Sequence, residues 1–212
     1  MRRVAAELGL GTMSLYHYVR SKDELLDLMS DGIMAGQLVS DDELQRGWRA
    51  GLTAIAQATR SNFERHPWMG AAMRPRARTA PGPNAMRHVD QSLAAVAGTG
   101  VDVKARMEMI ALVDDYVIGF VLRTQALTDA EEDIDDAQWM RTVLDYLRAE
   151  LERGDYPALQ RELEAHRAAG GSEEDLPRMA LDARRFERGL ERILDGIEAS
   201  LEPRAVKPRR GR

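Results

Sequence analysis

The sequence contains no cysteine, so disulfide bonds, thiolate metal sites and cysteine nucleophiles are all excluded. Aromatic residues make up only 5% of its 212 residues, and no apolar run approaches the roughly 18 residues that a membrane-spanning helix requires. The N-terminus also lacks the apolar stretch of a signal peptide. These absences predict a soluble, cytoplasmic protein, and a chain of this length can bury a core without crosslinks.

Charge is distributed unevenly along the chain. The formal net charge is −5, yet residues 1–22 carry a balance of +3 and the last ten residues a balance of +5. The intervening residues 23–202 therefore hold −13. An acidic chain with a basic N-terminal end can present that end to phosphate groups, whereas the basic tail 203–212 is expected to be disordered and solvated.

Apolar residues recur at helical spacing along the whole chain, and the alternation typical of strands is almost absent. Capping residues, glycines and prolines mark the ends of the segments, and a capping box of Ser21 and Glu24 opens the third one. The predicted fold class is therefore all-α. The expected helices cover 1–8, 12–19, 22–38, 41–66, 86–96, 102–126, 136–153, 157–168 and 178–201, with a proline-rich loop at 74–84.

The first two helices, joined by a short turn, have the layout of a helix-turn-helix. Ala5 is small where the two helices must approach each other, and Gly9 permits a positive φ in the turn. Leu10 is expected to be the buried residue of the turn. Leu15 and Val19 are spaced i, i+4 and are expected to pack inward.

The remaining side chains of the second helix are then directed outward. They include hydroxyl and aromatic groups that can reach base edges or phosphates in a major groove. For each of them an ordinary surface role is the alternative, but their joint order within a helix-turn-helix favours DNA binding. These residues are Thr12, Ser14, Tyr16, His17 and Tyr18.

The segments RRVAAELGL at 2–10, SLYHYV at 14–19 and SKDELL at 21–26 resemble the tetracycline-repressor (TetR) family. The resemblance implies a dimeric repressor with an N-terminal DNA-binding domain (1–40) and a helical body (41–202) for effector binding and dimerisation. It also implies that Lys22 meets a phosphate at a helix N-terminus. The implied DNA-contacting set is Arg2, Arg3, Thr12, Met13, Ser14, Tyr16, His17, Tyr18 and Lys22.

One departure from the family pattern concerns the start of the chain. In the family a whole helix precedes the segment at which this sequence begins, so we expect an incomplete DNA-binding domain or a true start further upstream. The leading hypothesis is a repressor that binds a palindromic operator in double-stranded DNA. The alternative is a helical ligand-binding or dimer-trapping protein that has lost DNA binding together with that first helix.

The last predicted helix carries an apolar stripe beside Gly189 and Gly196. Such a stripe serves either a protein core or a close seam with a second copy of the chain, and the residues alone leave both open. The resemblance implies a homodimer in which this helix and helix 136–153 pair with their counterparts. The expected interface is Trp139, Val143, Phe186, Leu190, Ile193, Leu194 and Ile197.

The resemblance also implies an effector pocket among the helices that precede the seam. Asp114 interrupts an apolar helix and needs a partner if it is buried. The expected effector is a small, mostly hydrophobic molecule with one or two polar groups. The candidate lining residues are Trp48, Phe63, Trp68, Met69, Met73, Met107, Ile110, Asp114, Val117 and Phe120.

Patterns of the common catalytic and cofactor sites are missing from the sequence. There is no Walker A motif, no HExxH and no GxSxG, and the four histidines are scattered. The glycines at positions 9 and 11 have no strand before them, which excludes a dinucleotide-binding loop. We therefore predict a protein that is not an enzyme and uses no metal or cofactor.

Overall fold

The computed structural model describes residues 1–72, 81–132, 136–173, 175, 182 and 184–201, and every regular element within these ranges is helical. The predicted all-α class is confirmed. The helices are α1 (Arg2–Glu7), α2 (Thr12–Tyr18), α3 (Lys22–Met34), α4 (Asp41–Leu44), α5 (Trp48–Arg65), α6 (Trp68–Ala72), α7 (Pro83–Val96), α8 (Val103–Glu132), α9 (Asp136–Glu152), α10 (Pro157–Ala168) and α11 (Arg184–Leu201). Short 3₁₀ turns follow α3 and α7, at Ala35–Gln37 and Ala97–Thr99.

The helix expected over 41–66 is in fact two helices, so that prediction is wrong. Ser40 and Glu43 form a capping box that starts α4, and the helix ends after one turn at Leu44. Gly47 has a φ of 100°, a conformation that L side chains rarely adopt, and it separates α4 from α5. The helix expected to reach Leu38 likewise ends at Met34, where the 3₁₀ turn begins.

The chain divides into two compact units. The larger one consists of Met1–Val121 together with 192–201, and the smaller one is Leu122–Glu191. The larger unit buries an apolar core from α5, α7 and α8, whose most enclosed side chains include Leu52, Ile55, Val96, Val113 and Val117. In the smaller unit the buried side chains include Leu144, Leu151, Leu163, Phe186 and Leu190.

Three sequence predictions are not tested by the described residues. The boundary expected at residue 40 stays a prediction. Most of the loop expected at 74–84 and the whole tail 203–212 lie outside the described residues. Within the described residues, no helix is both long and apolar enough to cross a membrane.

The apolar stripe of α11 is part of the interior of a single chain. Phe186, Leu190, Leu194 and Ile197 are only 0–4% exposed without any partner molecule. Ile193, on the same helix, remains partly accessible. These four side chains therefore stabilise the fold of the protomer itself.

We expect Leu194→Ala to lower the free energy of unfolding by about 3 kcal/mol, because it leaves a cavity in a fully packed region. The measurement is denaturant-induced unfolding followed by circular dichroism. Ile193→Ala is the matched control, since this neighbouring apolar side chain is only partly buried, and its cost should be clearly smaller. Equal costs for the two substitutions would contradict the burial that separates them.

Candidate functional site

The N-terminal segment, residues 1–40, has a small apolar core of its own. Ala5 of α1 packs with Leu15 of α2 and with Val19, and Met1 and Leu25 cover this cluster from the side. The inward orientation predicted for Leu15 and Val19 is confirmed, as is the close approach of the helices at Ala5. This core sets the orientation of α2 relative to α1.

The turn between α1 and α2 has the predicted backbone conformation at Gly9 but not the predicted burial at Leu10. Gly9 has a φ of 66°, which confirms the expected left-handed conformation. The backbone N–H of Leu10 donates to the carbonyl of Ala5 at 2.8 Å. Its side chain is nevertheless exposed, so the expected burial of Leu10 is wrong. Val4 and Leu8 are exposed as well, and the apolar side of α1 is thus only partly covered.

The side chains predicted to contact DNA all lie at or near the surface. Met13 and His17 are four residues apart and lie on the side of α2 opposite the buried Leu15. Tyr18 is 77% exposed, whereas Thr12, the first residue of α2, is half-buried. The other exposed members of the set are Arg2, Arg3, Ser14, Tyr16 and Lys22.

The start of α3 places Lys22 at the first position of a capped helix. The Ser21 hydroxyl accepts a hydrogen bond from the backbone N–H of Glu24 at 3.0 Å, which confirms Ser21 as the cap. The Glu24 carboxylate accepts from the N–H of Arg20 rather than from that of Ser21, so the capping box is displaced by one residue. The positive end of the α3 dipole and the exposed Lys22 side chain therefore lie together.

The predicted pocket residues divide into a buried group and a surface group. Phe63, Met69, Ile110, Val117 and Phe120 are buried in the larger unit, around α5 and α8. Trp48, Trp68 and Asp114 are half-buried, whereas Met107 is exposed and does not belong to the interior. Met73 lies outside the described residues.

Asp114 is an ionisable group held in an apolar environment. Burial raises the pKa of its carboxyl group to about 6, and the neighbouring Asp115 adds to the rise. No described residue donates a hydrogen bond to this carboxyl group. The partner that the sequence analysis required for a buried Asp114 is therefore missing from this part of the chain.

Sequence reasoning missed two polar features of the same core. The Thr59 hydroxyl of α5 is buried without a hydrogen-bond partner among the described residues. The guanidinium of Arg60 lies 5.6 Å from the centre of the Phe120 ring, which connects α5 to α8 by a cation–π contact. Thr59 occupies the apolar stripe of α5, and that position was the only signal that could have revealed it.

A separate groove of about 470 Å³ opens on the surface at α4 and α5. No residue of the predicted pocket lines it. Its walls are formed by Glu43, Arg46, Arg49, Ala50, Thr53, Ala54 and Gln57. Ion pairs from Arg49 to Asp195 and Glu198 of α11 border this groove.

The residues predicted for the dimer interface are only partly available to a second chain. The four buried positions of α11 described above are enclosed within the protomer. Val143 of α9 and Ile193 of α11 are half-buried, and the side chain of Trp139 lies outside the described residues. Gly196, three residues after Ile193 on α11, is exposed, and a Cβ at this position would meet nothing within 4 Å.

The chain is similar in sequence to a known family of proteins and to individual transcriptional regulators. A family model described as tetracyclin repressor-like, C-terminal domain, matches residues 42–201. The HTH-type transcriptional repressor DrrR1 of Streptomyces coeruleorubidus is 36% identical over 206 residues, covering 96% of this chain and 71% of that protein. An HTH-type transcriptional regulator of Saccharopolyspora erythraea is 32% identical over 159 residues, and the match covers 75% of this chain and 64% of that regulator.

Solved structures share the fold. ActR of Streptomyces coelicolor in complex with actinorhodin has a TM-score of 0.67 at 24% identity, covering 96% of this chain and 88% of that one. Apo ActR covers the same shares with a TM-score of 0.65.

The α1–turn–α2 arrangement on an all-α chain defines a helix-turn-helix transcriptional regulator. Within that class, the chain belongs to the TetR family, as its first 26 residues predicted.

We expect Asp114→Asn to raise the free energy of unfolding at pH 7.5 by about 2–3 kcal/mol. The folded-state pKa, about 6, lies above the ordinary value of 3.8, so the wild type loses stability as the pH rises through this window. The gain should therefore vanish below pH 4, where the carboxyl group is protonated in both states. Denaturant unfolding between pH 3.5 and 8 measures this.

Asp115→Asn is the control, because this adjacent carboxylate is exposed. Its gain should be much smaller than that of Asp114→Asn. A stability difference between wild type and Asp114→Asn that is constant with pH would contradict the burial of an ionisable Asp114.

Proposed function

We propose that the protein is a repressor that binds double-stranded DNA through α2 and releases it when a small molecule binds the helical body. The observation that carries the proposal is the exposed face of α2 opposite Leu15, which presents Met13 and His17 with Ser14 and Tyr16 on either side. A short helix with polar and aromatic groups on its outer face fits a major groove. The relatives named as transcriptional repressors support the same activity.

In the proposed complex each part of the N-terminal segment has one task. The α2 side chains contact base edges, whereas Lys22 binds a phosphate at the N-terminus of α3 and Arg2 and Arg3 bind the backbone nearby. A homodimer places two copies of α2 in successive major grooves of a palindromic operator. The protein acts by binding, in the cytoplasm, and uses no cofactor.

The proposed effector is a small, mostly hydrophobic molecule that enters the core between α5 and α8. Phe63, Val117 and Phe120 supply the apolar walls, while the Thr59 hydroxyl and the Asp114 carboxyl supply polar groups that lack hydrogen-bond partners among the described residues. A ligand that donates hydrogen bonds to them would bind one arrangement of the helices better than another, and this differential affinity shifts the population. ActR, which shares the fold, has been solved with actinorhodin bound.

We expect the wild type to bind a fragment from the region flanking its own gene with an affinity that falls steeply with salt. Lys22→Ala should weaken binding about equally for all sequences and lower the slope of log K against log salt by about one. Fluorescence anisotropy at four or more salt concentrations measures the slope.

Lys104→Ala provides the matched control, because Lys104 is an exposed lysine on α8 that does not belong to the N-terminal segment. Its slope should equal that of the wild type. A wild type that binds no fragment would refute the proposed function, and an unchanged slope in Lys22→Ala would refute the phosphate contact.

We expect Gly196→Arg to convert the proposed dimer to monomers without unfolding the chain. Open space surrounds this position in the protomer, so a large side chain is tolerated there but obstructs a close helix–helix seam. Sedimentation velocity measures the association, and circular dichroism confirms the fold. Gly119→Arg on α8 is the control, since this glycine is also exposed with nothing near its Cβ, and it should stay dimeric. A dimeric Gly196→Arg would place the seam elsewhere.

A further inference from the structure

The C-terminal half of α3 and the turn that follows it are attached to α5 and α7 by hydrogen bonds from polar side chains. We call this region, residues 31–39 together with Asn62, Asn84 and Gln91, the α3 joint. It connects the N-terminal segment to the helices of the body, and all of it lies within the larger unit. Its geometry therefore decides where α1 and α2 stand relative to α5 and α7.

Gln91 of α7 makes the central contact of the α3 joint. Its Nε2 donates to the carbonyl of Gln37 at 2.9 Å, and its Oε1 accepts from the backbone N–H of Val39 at 3.0 Å. These two bonds distinguish the nitrogen of the Gln91 amide from its oxygen. Nε2 is therefore the group 3.2 Å from Nδ1 of His88, and it acts as a donor there. His88 is therefore neutral, with its proton on Nε2, and burial lowers its pKa in agreement.

Asp31 makes the second contact, at the start of α7. Its Oδ1 accepts from the backbone N–H groups of Asn84 and Ala85, both at 3.0 Å, and so caps the start of α7 from a different helix. The Asn84 side chain returns a bond to the carbonyl of Asp31 at 3.0 Å. Between the two contacts, Nδ2 of Asn62 donates to the carbonyl of Ile33 at 3.1 Å.

Two glycines allow these helices to come so close. A Cβ on Gly82 would lie 2.3 Å from the Asp31 carboxylate, and a Cβ on Gly36 would lie 2.6 Å from Oδ1 of Asn62. Real Cβ atoms do not approach other heavy atoms to such distances. The polar contacts of the α3 joint therefore depend on the absence of side chains at these two positions.

The α3 helix has no fully buried side chain. Its apolar residues Leu25, Leu26, Ile33 and Met34 are half-buried, and this burial is non-directional, whereas hydrogen bonds require particular distances and angles. Gln91 holds the main chain at Gln37 and Val39, beyond the end of α3, and Asp31 holds a point on the last turns of α3 itself. Two separated directional contacts determine the orientation of a helix, whereas one leaves it free to pivot.

We propose that Gln91 and Asp31 are positioning residues that fix the orientation of the N-terminal segment and thereby set the half-site spacing of the operator. The proposal rests on the proposed function, since the spacing has a meaning only for a dimer that binds DNA. Neither residue belongs to the predicted DNA-contacting set. Each acts through the main chain of residues 31–39, or through the start of α7, on the placement of α2.

The experiment measures the spacing preference of the full chain. A half-site selected with the wild-type protein is built into duplexes whose half-sites are moved apart or together by up to two base pairs, which rotates one site by about 70° relative to the other. The wild type should prefer one spacing by at least about tenfold, and Gln91→Leu and Asp31→Ala should reduce this preference to about threefold or less. Asp31 is partly exposed, so its variant remains informative if Gln91→Leu folds poorly.

Ser92→Ala is the matched control. Ser92 is next to Gln91 and is buried, and among the described residues its hydroxyl bonds within its own helix, donating to the carbonyl of His88 at 2.8 Å. This variant loses a buried hydrogen bond but leaves the α3 joint intact, so its spacing preference should equal that of the wild type. If Gln91→Leu and Asp31→Ala weaken binding at every spacing by one common factor, the positioning role is overturned and only a structural role remains.

A second measurement needs no DNA. Because the chain has no cysteine, the exposed residues Glu7 and Gln57 can be replaced by cysteine, spin-labelled and diluted with unlabelled protein. The distance distribution between the labels should be narrow in the wild type and in Ser92→Ala, and broad in both joint variants. Failure of the wild type to bind any duplex would refute the proposed function alone, whereas a narrow distribution in both joint variants would refute the fixed orientation.

Discussion

The N-terminal segment has three fully buried apolar side chains in its own core, Ala5, Leu15 and Val19, and the rest of the structure depends on that constraint. So small a core is enough to set α2 against α1, but it buries too little apolar surface to be stable alone. The segment therefore needs support from outside itself. Leu25 on α3 begins that support, and everything after α3 belongs to helices with a large core of their own.

The contacts that attach the N-terminal segment to the helices of the body are polar. Gln37, Asn62, His88, Gln91 and Ser92 are all buried, and they lie on or next to the elements that meet the C-terminal end of α3. Buried amide groups are stable only when they are hydrogen-bonded, and here the partners are main-chain groups of residues 33–39. A contact of this kind has one geometry rather than a range of them. Such contacts suit a segment whose orientation relative to the body matters more than the strength of its attachment.

Local features of this structure could be predicted from the sequence, and long-range polar contacts could not. The cap at Ser21 and the left-handed Gly9 depend on neighbours within four residues, and the inward orientation of Leu15 and Val19 is indicated by their i, i+4 spacing. Leu10 was predicted wrongly, because its burial depends on what covers the turn. Gln91 has the appearance of a solvated helix residue, since its partner Val39 lies 52 residues away and no local pattern records the pair. Resemblance supplied the DNA-contacting set, but the buried positions of α11 became visible only in the packed chain.

The hydrogen bonds of the α3 joint are individually weak enough for an effector to break some of them. Coupling between a ligand site and a remote site typically amounts to about 1–3 kcal/mol, and each intramolecular hydrogen bond contributes about 1 kcal/mol net, so this coupling corresponds to the loss of about one to three bonds of the joint. Separating an apolar interface of several buried side chains would cost more free energy than the binding of a small effector provides. Such an interface would therefore not open in response to the effector. Helix α7 packs closely on α5 at Gly51 and Ala95, and it carries Asn84 in its first turn and Gln91 in its second half. A ligand that separates α5 from α8 and displaces α7 would therefore disturb both contacts of the joint at once, which is the arrangement that a switch of this strength requires.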